Sequence, residues 1–96
     1  MGAVINGDAK IRKSESTVHR ELAEGGGVLL NLESGSYYSI NPIGLLVWDL
    51  IADGCTFDEL VSQLRFRVAD PPVELDADIR EFLGELEHRR LIEVGG

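Results

Sequence analysis

The sequence predicts an α+β domain in which a three-stranded antiparallel sheet is followed by three helices. Between residues 17 and 40, short segments of alternating apolar and polar residues are separated by turn residues, which is typical of antiparallel strands. From residue 41 onward, apolar residues recur every three or four positions, which indicates helices. Strands that precede helices in a chain of 96 residues favour one domain, with the helices packed on one face of the sheet.

Turn residues separate the three predicted strands. Residues 18–22 form the first strand, and the glycines at 25–27 form the turn that follows it. A second turn at residues 34–36 precedes the third strand at residues 37–40, which is rich in residues that favour strands. The second strand alternates between two faces, one with Val28, Leu30 and Leu32 and the other with Leu29 and Asn31.

Caps and apolar spacing predict the three helices. Asn41 and Pro42 favour a helix start, because asparagine caps helix N-termini and proline suits the first turn. The helix that follows, to residue 53, is apolar on nearly every side, so we expect it at the centre of the core. Thr56 and Glu59 have the spacing of a capping box, which begins the second helix. The third helix is indicated by Leu75, Ile79, Phe82, Leu83 and Leu86, and a short closing strand by residues 91–94.

Two capped helices in close succession and a third after a loop favour a winged helix-turn-helix-like arrangement.

Residues 1–16 mix glycine, lysine, serine and glutamate without a clear period. We therefore expect them to form a flexible or weakly paired N-terminal arm. Residues 17–94 are expected to form the folded domain, and residues 95–96 a tail.

The charge balance excludes some functions. The chain has 17 acidic and 9 basic residues, a net charge of −8, which argues against nucleic-acid binding. The third helix is also rich in carboxylates, whereas a helix that recognises DNA needs positive side chains. The sequence contains no secretory signal pattern and no apolar run of membrane-spanning length, and its single cysteine cannot form an internal disulfide. We expect a cytoplasmic protein with no nucleic-acid or membrane partner.

The residues that could carry chemistry are scattered. Cys55, His19 and His88 share no metal-ligand spacing, and an isolated cysteine is more often a small buried residue than a nucleophile. Glu81 and Glu85 stand one helical turn apart, which is also typical of a solvated charged face. We expect no metal, no cofactor and no enzymatic activity.

The third strand comes last in its antiparallel set, so we expect one of its edges to lack a partner. An edge strand exposes backbone N–H and C=O groups that another extended chain can bond. If the third helix lies beside this edge, Ile79, Phe82 and Leu86 form an apolar wall with a carboxylate rim. Core packing requires the same three side chains, so both placements remain open. The sequence also leaves open whether Tyr37 or Tyr38 faces the core.

Two segments carry a family resemblance. The first is Leu-Asn-Leu-Glu-Ser-Gly-Ser-Tyr-Tyr-Ser-Ile-Asn-Pro-Ile-Gly at residues 30–44, followed by Trp48. The second is Asp-Ile-Arg-Glu-Phe-Leu-Gly-Glu-Leu at residues 78–86. Together they resemble the PqqD-like family of recognition elements for ribosomally synthesised, post-translationally modified peptides. The likeness extends over residues 17–94 and is greatest to the free-standing type of lasso peptide pathways.

The resemblance implies a non-catalytic winged helix-turn-helix domain that holds the leader segment of a precursor peptide as an added strand, between the third strand and the third helix. For lasso pathways it implies two protein partners, a separate leader peptidase, which is a cysteine protease, and a macrolactam synthetase. The alternatives are a peptide chaperone of a quinone-cofactor or radical-enzyme pathway, or a helix-turn-helix DNA-binding regulator. The peptide-binding residues that the resemblance implies are Tyr37, Tyr38, Ser39 and Ile40 on the strand and Asp78, Ile79, Phe82 and Leu86 on the helix.

Overall fold

The computed structural model describes residues 5–51, 54–71 and 73–95. In chain order the elements are β1 (Lys10–Lys13), β2 (Thr17–Glu21), β3 (Gly27–Asn31), β4 (Tyr37–Ile40), α1 (Pro42–Ile51), β5 (Cys55–Thr56), α2 (Phe57–Arg67), α3 (Leu75–His88) and β6 (Ile92–Gly95). Two antiparallel sheets have the strand orders β2-β3-β4 and β5-β1-β6. The α+β class is confirmed, and the predicted three-stranded sheet is β2-β3-β4.

The N-terminal segment is more ordered than the sequence predicts. β1 is the central strand of the β5-β1-β6 sheet, and Ile11 within it is fully buried. The expectation of a flexible or weakly paired arm is therefore wrong for β1, while residues 1–4 lie outside the described residues. The pairing partners of β1 are β5 and β6, which lie far away in the sequence, so local composition gives no sign of the pairing. Gly95, expected in a tail, pairs with Lys10 instead.

β3 turns Leu29 and Asn31 towards the core and leaves its more apolar face partly exposed. Asn31 is only 4% exposed, but both polar atoms of its side-chain amide form hydrogen bonds. Its Oδ1 accepts the N–H groups of Glu33 and Ser34 at 2.9 and 3.1 Å, and its Nδ2 donates to the carbonyl of Arg90 at 2.7 Å. Because buried polar groups are tolerated when they are hydrogen-bonded, Asn31 can occupy the core and join the β3–β4 turn to the loop before β6.

α1 and α2 begin where the caps predict. Asn41 Oδ1 accepts the N–H of Gly44 at 2.7 Å at the start of α1. At the start of α2, Thr56 Oγ1 accepts the N–H of Glu59 at 3.2 Å, and the Glu59 carboxylate accepts the N–H of Thr56 at 2.8 Å. These bonds satisfy N–H groups that a helix start otherwise leaves without partners. α1 lies in the core as expected, with Trp48 1% exposed. Residues 52 and 53, which the sequence assigns to the same helix, lie outside the described residues.

α3 packs one face against the core and presents the opposite face to solvent. None of the three helices that the structure describes has the length and apolarity needed to cross a bilayer. The spacing of the buried α3 residues matches the predicted helical period, so the third helix is confirmed. Those buried residues are Leu75, Ile79, Leu83 and Leu86.

Candidate functional site

β4 is an edge strand. It pairs with β3 on one side, and within the described ranges no strand pairs with its other side. The unpaired edge expected from the sequence is therefore present. An edge of this kind leaves backbone donors and acceptors available to an extended chain.

The hydrogen-bond pattern shows which backbone groups of β4 face β3. At the β3–β4 turn, the N–H of Asn31 donates to the carbonyl of Ser36, and the N–H of Gly35 donates to the carbonyl of Asn31, both at 2.8 Å. Directly opposed pairs in an antiparallel ladder alternate between bonded and non-bonded. Counting from the bonded pair Asn31–Ser36 makes the pair Leu29–Tyr38 bonded as well.

The same alternation determines which groups face the free edge. Tyr38 and Ile40 use their N–H and C=O groups in the ladder with β3. The N–H and C=O groups of Tyr37 and Ser39 therefore point away from β3, towards the free edge. These two residues present two donors and two acceptors in one row.

The side chains of β4 alternate between a face that packs inward and a face that is exposed to solvent. Tyr38 and Ile40 share the face that packs towards α3. The Tyr38 ring lies 6.4 Å from the Phe82 ring, centroid to centroid, and Ile40 is 7% exposed. Tyr37 is 68% exposed and Ser39 is also exposed, on the other face. Tyr38 is thus the tyrosine that faces inward.

A groove lies between β4 and α3, and we call it the β4–α3 groove. It consists of two adjoining cavities that share Asp78 and Phe82. The first, of about 380 Å³, is lined by Tyr38, Asp78, Glu81, Phe82 and Glu85. The second, of about 360 Å³, adjoins the first where β4 leads into α1, and it contains no residue of β4 itself. It is lined by Asn41, Ile43, Gly44, Val47, Val68, Leu75, Asp78, Ile79 and Phe82.

The predicted helix residues differ in their access to this groove. Asp78 is exposed and Phe82 half-buried, and both line the two cavities. Ile79 is 4% exposed and lines only the second cavity. Leu86 is completely buried, so it belongs to the core and offers no surface to a peptide. Apolar spacing along a helix predicts which residues face the core as a set, but it does not predict which of them lie at the edge of that face.

Two further residues shape the groove and were not identified as site residues from the sequence. Arg89 bonds Glu85 at 3.0 Å, and its guanidinium carbon lies 4.8 Å from the centre of the Tyr38 ring. Gly44 lets α1 approach α3, because an added Cβ would lie 3.3 Å from Cζ of Phe82. The sequence signal for Arg89 is its position four residues after Glu85, and the signal for Gly44 is the Asn-Pro-x-Gly motif that contains it.

Larger cavities of about 640 and 510 Å³ lie beside β6, and neither shares a lining residue with the β4–α3 groove. Cys55 lines the smaller of the two, where burial, followed by the nearby Glu59 carboxylate, raises the pKa of its thiol. A nucleophilic cysteine requires the opposite shift, because the thiolate is the reactive form. In the part of the chain that the structure describes, no group of three His, Cys, Asp or Glu side chains is arranged to hold a metal ion.

The family model described as "Coenzyme PQQ synthesis protein D (PqqD)" matches residues 26–92. The chain belongs to the PqqD family. The matched segment of this PqqD family member contains β4 and α3, the two elements that form the groove. The resemblance inferred from the sequence is therefore confirmed.

A solved structure similar to this PqqD family member is that of TbiB1 in complex with the TbiA(beta) leader peptide. The two chains superpose with a TM-score of 0.74 and are 26% identical in sequence. The similarity covers 85% of this chain and 94% of the TbiB1 chain. Among curated proteins, none matches.

Proposed function

We propose that this protein binds the leader segment of a ribosomally synthesised precursor peptide as an additional strand on the free edge of β4. The observation that carries the proposal is the row of unpaired backbone groups of Tyr37 and Ser39, which lies beside a groove walled by α3. Membership of the PqqD family and the similarity to a protein solved with a leader peptide support it.

Backbone pairing supplies affinity that depends little on the peptide sequence. Tyr37 and Ser39 offer four hydrogen-bonding groups, and each bond contributes about 0.5–1.5 kcal/mol net. Alternate side chains of the added strand then project towards α3 and enter the β4–α3 groove. Tyr38 and Phe82 provide apolar contact there, while Asp78 and Glu81 border it with negative charge. Specificity comes from these side-chain contacts.

In this proposal the protein is a non-catalytic cytoplasmic module that delivers the leader to another protein. The sequence resemblance favours a lasso peptide pathway. In such a pathway the protein delivers the leader to a separate leader peptidase, which is a cysteine protease. A macrolactam synthetase then acts on the core segment. A quinone-cofactor or radical-enzyme pathway is the alternative, and the family description itself refers to a quinone cofactor. Neighbouring genes distinguish them, because a transglutaminase-like peptidase indicates the lasso pathway and a radical enzyme the alternative.

The proline variant Ser39→Pro tests strand addition. Proline removes the N–H that faces the free edge and leaves the bonds to β3 intact. We expect the affinity for a fluorescently labelled leader peptide to fall about 5- to 100-fold, because a peptide carbonyl loses its donor. Fluorescence anisotropy measures the change.

Two control variants isolate the backbone group. Ser39→Ala removes the hydroxyl but keeps the N–H, so its affinity should match that of the unaltered protein. Glu21→Pro makes the same backbone change on β2, at the opposite edge of the same sheet, and should also bind normally. Equal affinity of Ser39→Pro and Ser39→Ala, with both folded by circular dichroism, would refute pairing at this edge.

A further inference from the structure

The two cavities of the β4–α3 groove differ in chemistry, although Asp78 and Phe82 line both of them. The first cavity is bordered by three carboxylates, those of Asp78, Glu81 and Glu85. The second is lined mainly by apolar side chains contributed by α1, α3 and Val68. Phe82 and Asp78 border both cavities, so the two compartments adjoin and differ mainly in charge.

The carboxylates of the first cavity are not equivalent. Glu85 is paired with Arg89, whose guanidinium group also covers the Tyr38 ring. Asp78 and Glu81 are exposed, and among the described residues neither forms an ion pair. A ligand that enters this cavity therefore meets two carboxylates without a counter-ion, in a protein whose net charge is −8.

The geometry of an added strand sets the distance between groups that fill the two compartments. Successive residues of a strand point to opposite faces, and residues two apart on the same face are about 6.8 Å from each other. The compartments adjoin at Asp78 and Phe82, which line both of them and stand about 6 Å apart along α3, at positions i and i+4. Neighbouring same-face side chains of the peptide, at positions i and i+2, therefore have a spacing that suits entry into the two adjoining compartments.

We propose that the groove selects leader segments in which an apolar residue and a lysine or arginine stand two positions apart. The apolar side chain occupies the cavity beside Gly44 and Ile79, and the cationic side chain lies beside Asp78 and Glu81. This inference rests on the proposed strand addition and specifies the class of peptide that it favours. The order of the two residues follows the direction of the added strand.

The interaction with Asp78 and Glu81 is modest and should depend on salt. Exposed ion pairs are weak, and replacing lysine by glutamate in the peptide converts attraction to repulsion. We expect that replacement to weaken binding about tenfold at low ionic strength. The difference should largely disappear at 1 M salt, where the screening length is only about 3 Å.

Selection from a library tests the motif without knowledge of the natural leader. Short randomised peptides displayed on their mRNA are selected on the immobilised full-length protein, and the enriched sequences are read. The same library is selected on the double variant Asp78→Asn, Glu81→Gln, whose two side chains are uncharged and similar in size. A third selection uses Asp8→Asn, Glu15→Gln, which removes the same charge but changes no residue that lines the β4–α3 groove.

The expected result is enrichment of an apolar residue two positions from lysine or arginine on the unaltered protein and on the Asp8, Glu15 control. On the Asp78, Glu81 variant the apolar preference should remain and the cationic preference should be lost. Enriched peptides that need the Ser39 N–H but show no cationic preference would overturn this inference and leave strand addition intact. Enriched peptides that bind Ser39→Pro normally, or the absence of any enrichment, would overturn strand addition itself.

Discussion

Replacing Gly44 by alanine should destabilise this protein, although the same change in a helix usually has the opposite effect. Alanine is favoured over glycine in a helix interior by about 1 kcal/mol. At Gly44, however, the new Cβ would lie 3.0 Å from Cβ of Ile40 and 3.3 Å from Cζ of Phe82. Both neighbours are packed against the core, so they can yield only by moving β4 or the Phe82 ring.

The magnitude follows from two opposing contributions. Overpacking of a close-packed site costs about 1–3 kcal/mol, and the helix-propensity gain offsets at most about 1 kcal/mol of it. The net expectation is a loss of about 1 kcal/mol in the free energy of unfolding. For a domain of this size that corresponds to a decrease in Tm of about 4–8 °C. Because Phe82 moves, the affinity for a leader peptide should decrease as well.

Gly84→Ala is the matched control, because Gly84 lies within α3 and an added Cβ would meet no atom within 4 Å. This variant should gain about 1 kcal/mol, since only helix propensity changes. Urea unfolding followed by circular dichroism measures both variants at one protein concentration. If Gly44→Ala is stabilised as much as Gly84→Ala, the close contact between α1 and the groove does not exist as described.

Two further predictions concern the framework of the fold. Asn31→Ala removes three hydrogen bonds from a buried site, including the one to the Arg90 carbonyl. The free energy of unfolding, measured in urea, should fall by about 3 kcal/mol. A decrease below about 1 kcal/mol would contradict the role of these three bonds in stability. Hydrogen bonds from the Thr56 N–H and then its hydroxyl hold the pKa of the Glu59 carboxyl below its ordinary value. The hydrogen bonds to the ionised Glu59 carboxylate therefore stabilise the folded state fully at pH values above the ordinary glutamate pKa. This contribution to the free energy of unfolding is lost as the pH falls through the lower pKa of the folded state. Glu59→Gln has no carboxylate to protonate, so it should lack this part of the loss of stability in acid. The free energies of unfolding of the variant and of the unaltered protein should therefore differ most at neutral pH. A constant difference from pH 7 to pH 3 would refute the assignment.

Local signals in the sequence predicted most of the elements. Asparagine and threonine caps, glycine turns and apolar spacing act over a few residues, and they correctly indicated β2, β3, β4 and the three helices. β1 and β5 were missed because their stability comes from pairing with distant segments. The four residues of β1 contain one apolar side chain, Ile11, and its partner in β6 is Val94.

The orientation of side chains was harder to predict than the elements. Hydrophobicity favours Leu30 over Asn31 as a core residue of β3, but the bonds of the Asn31 amide allow the reverse. On α3, Phe82 and Leu86 have the same helical spacing and similar apolarity. Only the position of β4 decides that Phe82 borders the groove and Leu86 the core. Arg89 could not be assigned to Tyr38 because their contact depends on how β4 and α3 pack.

Amide hydrogen exchange in β4, measured by NMR with and without a saturating leader peptide, tests strand addition most directly. In the free protein the amides of Tyr38 and Ile40 should be protected by β3, while those of Tyr37 and Ser39 should exchange rapidly. Peptide binding should then protect Tyr37 and Ser39. If these two amides are already protected in the free protein, or exchange equally fast when the peptide is bound, the leader does not pair with this edge.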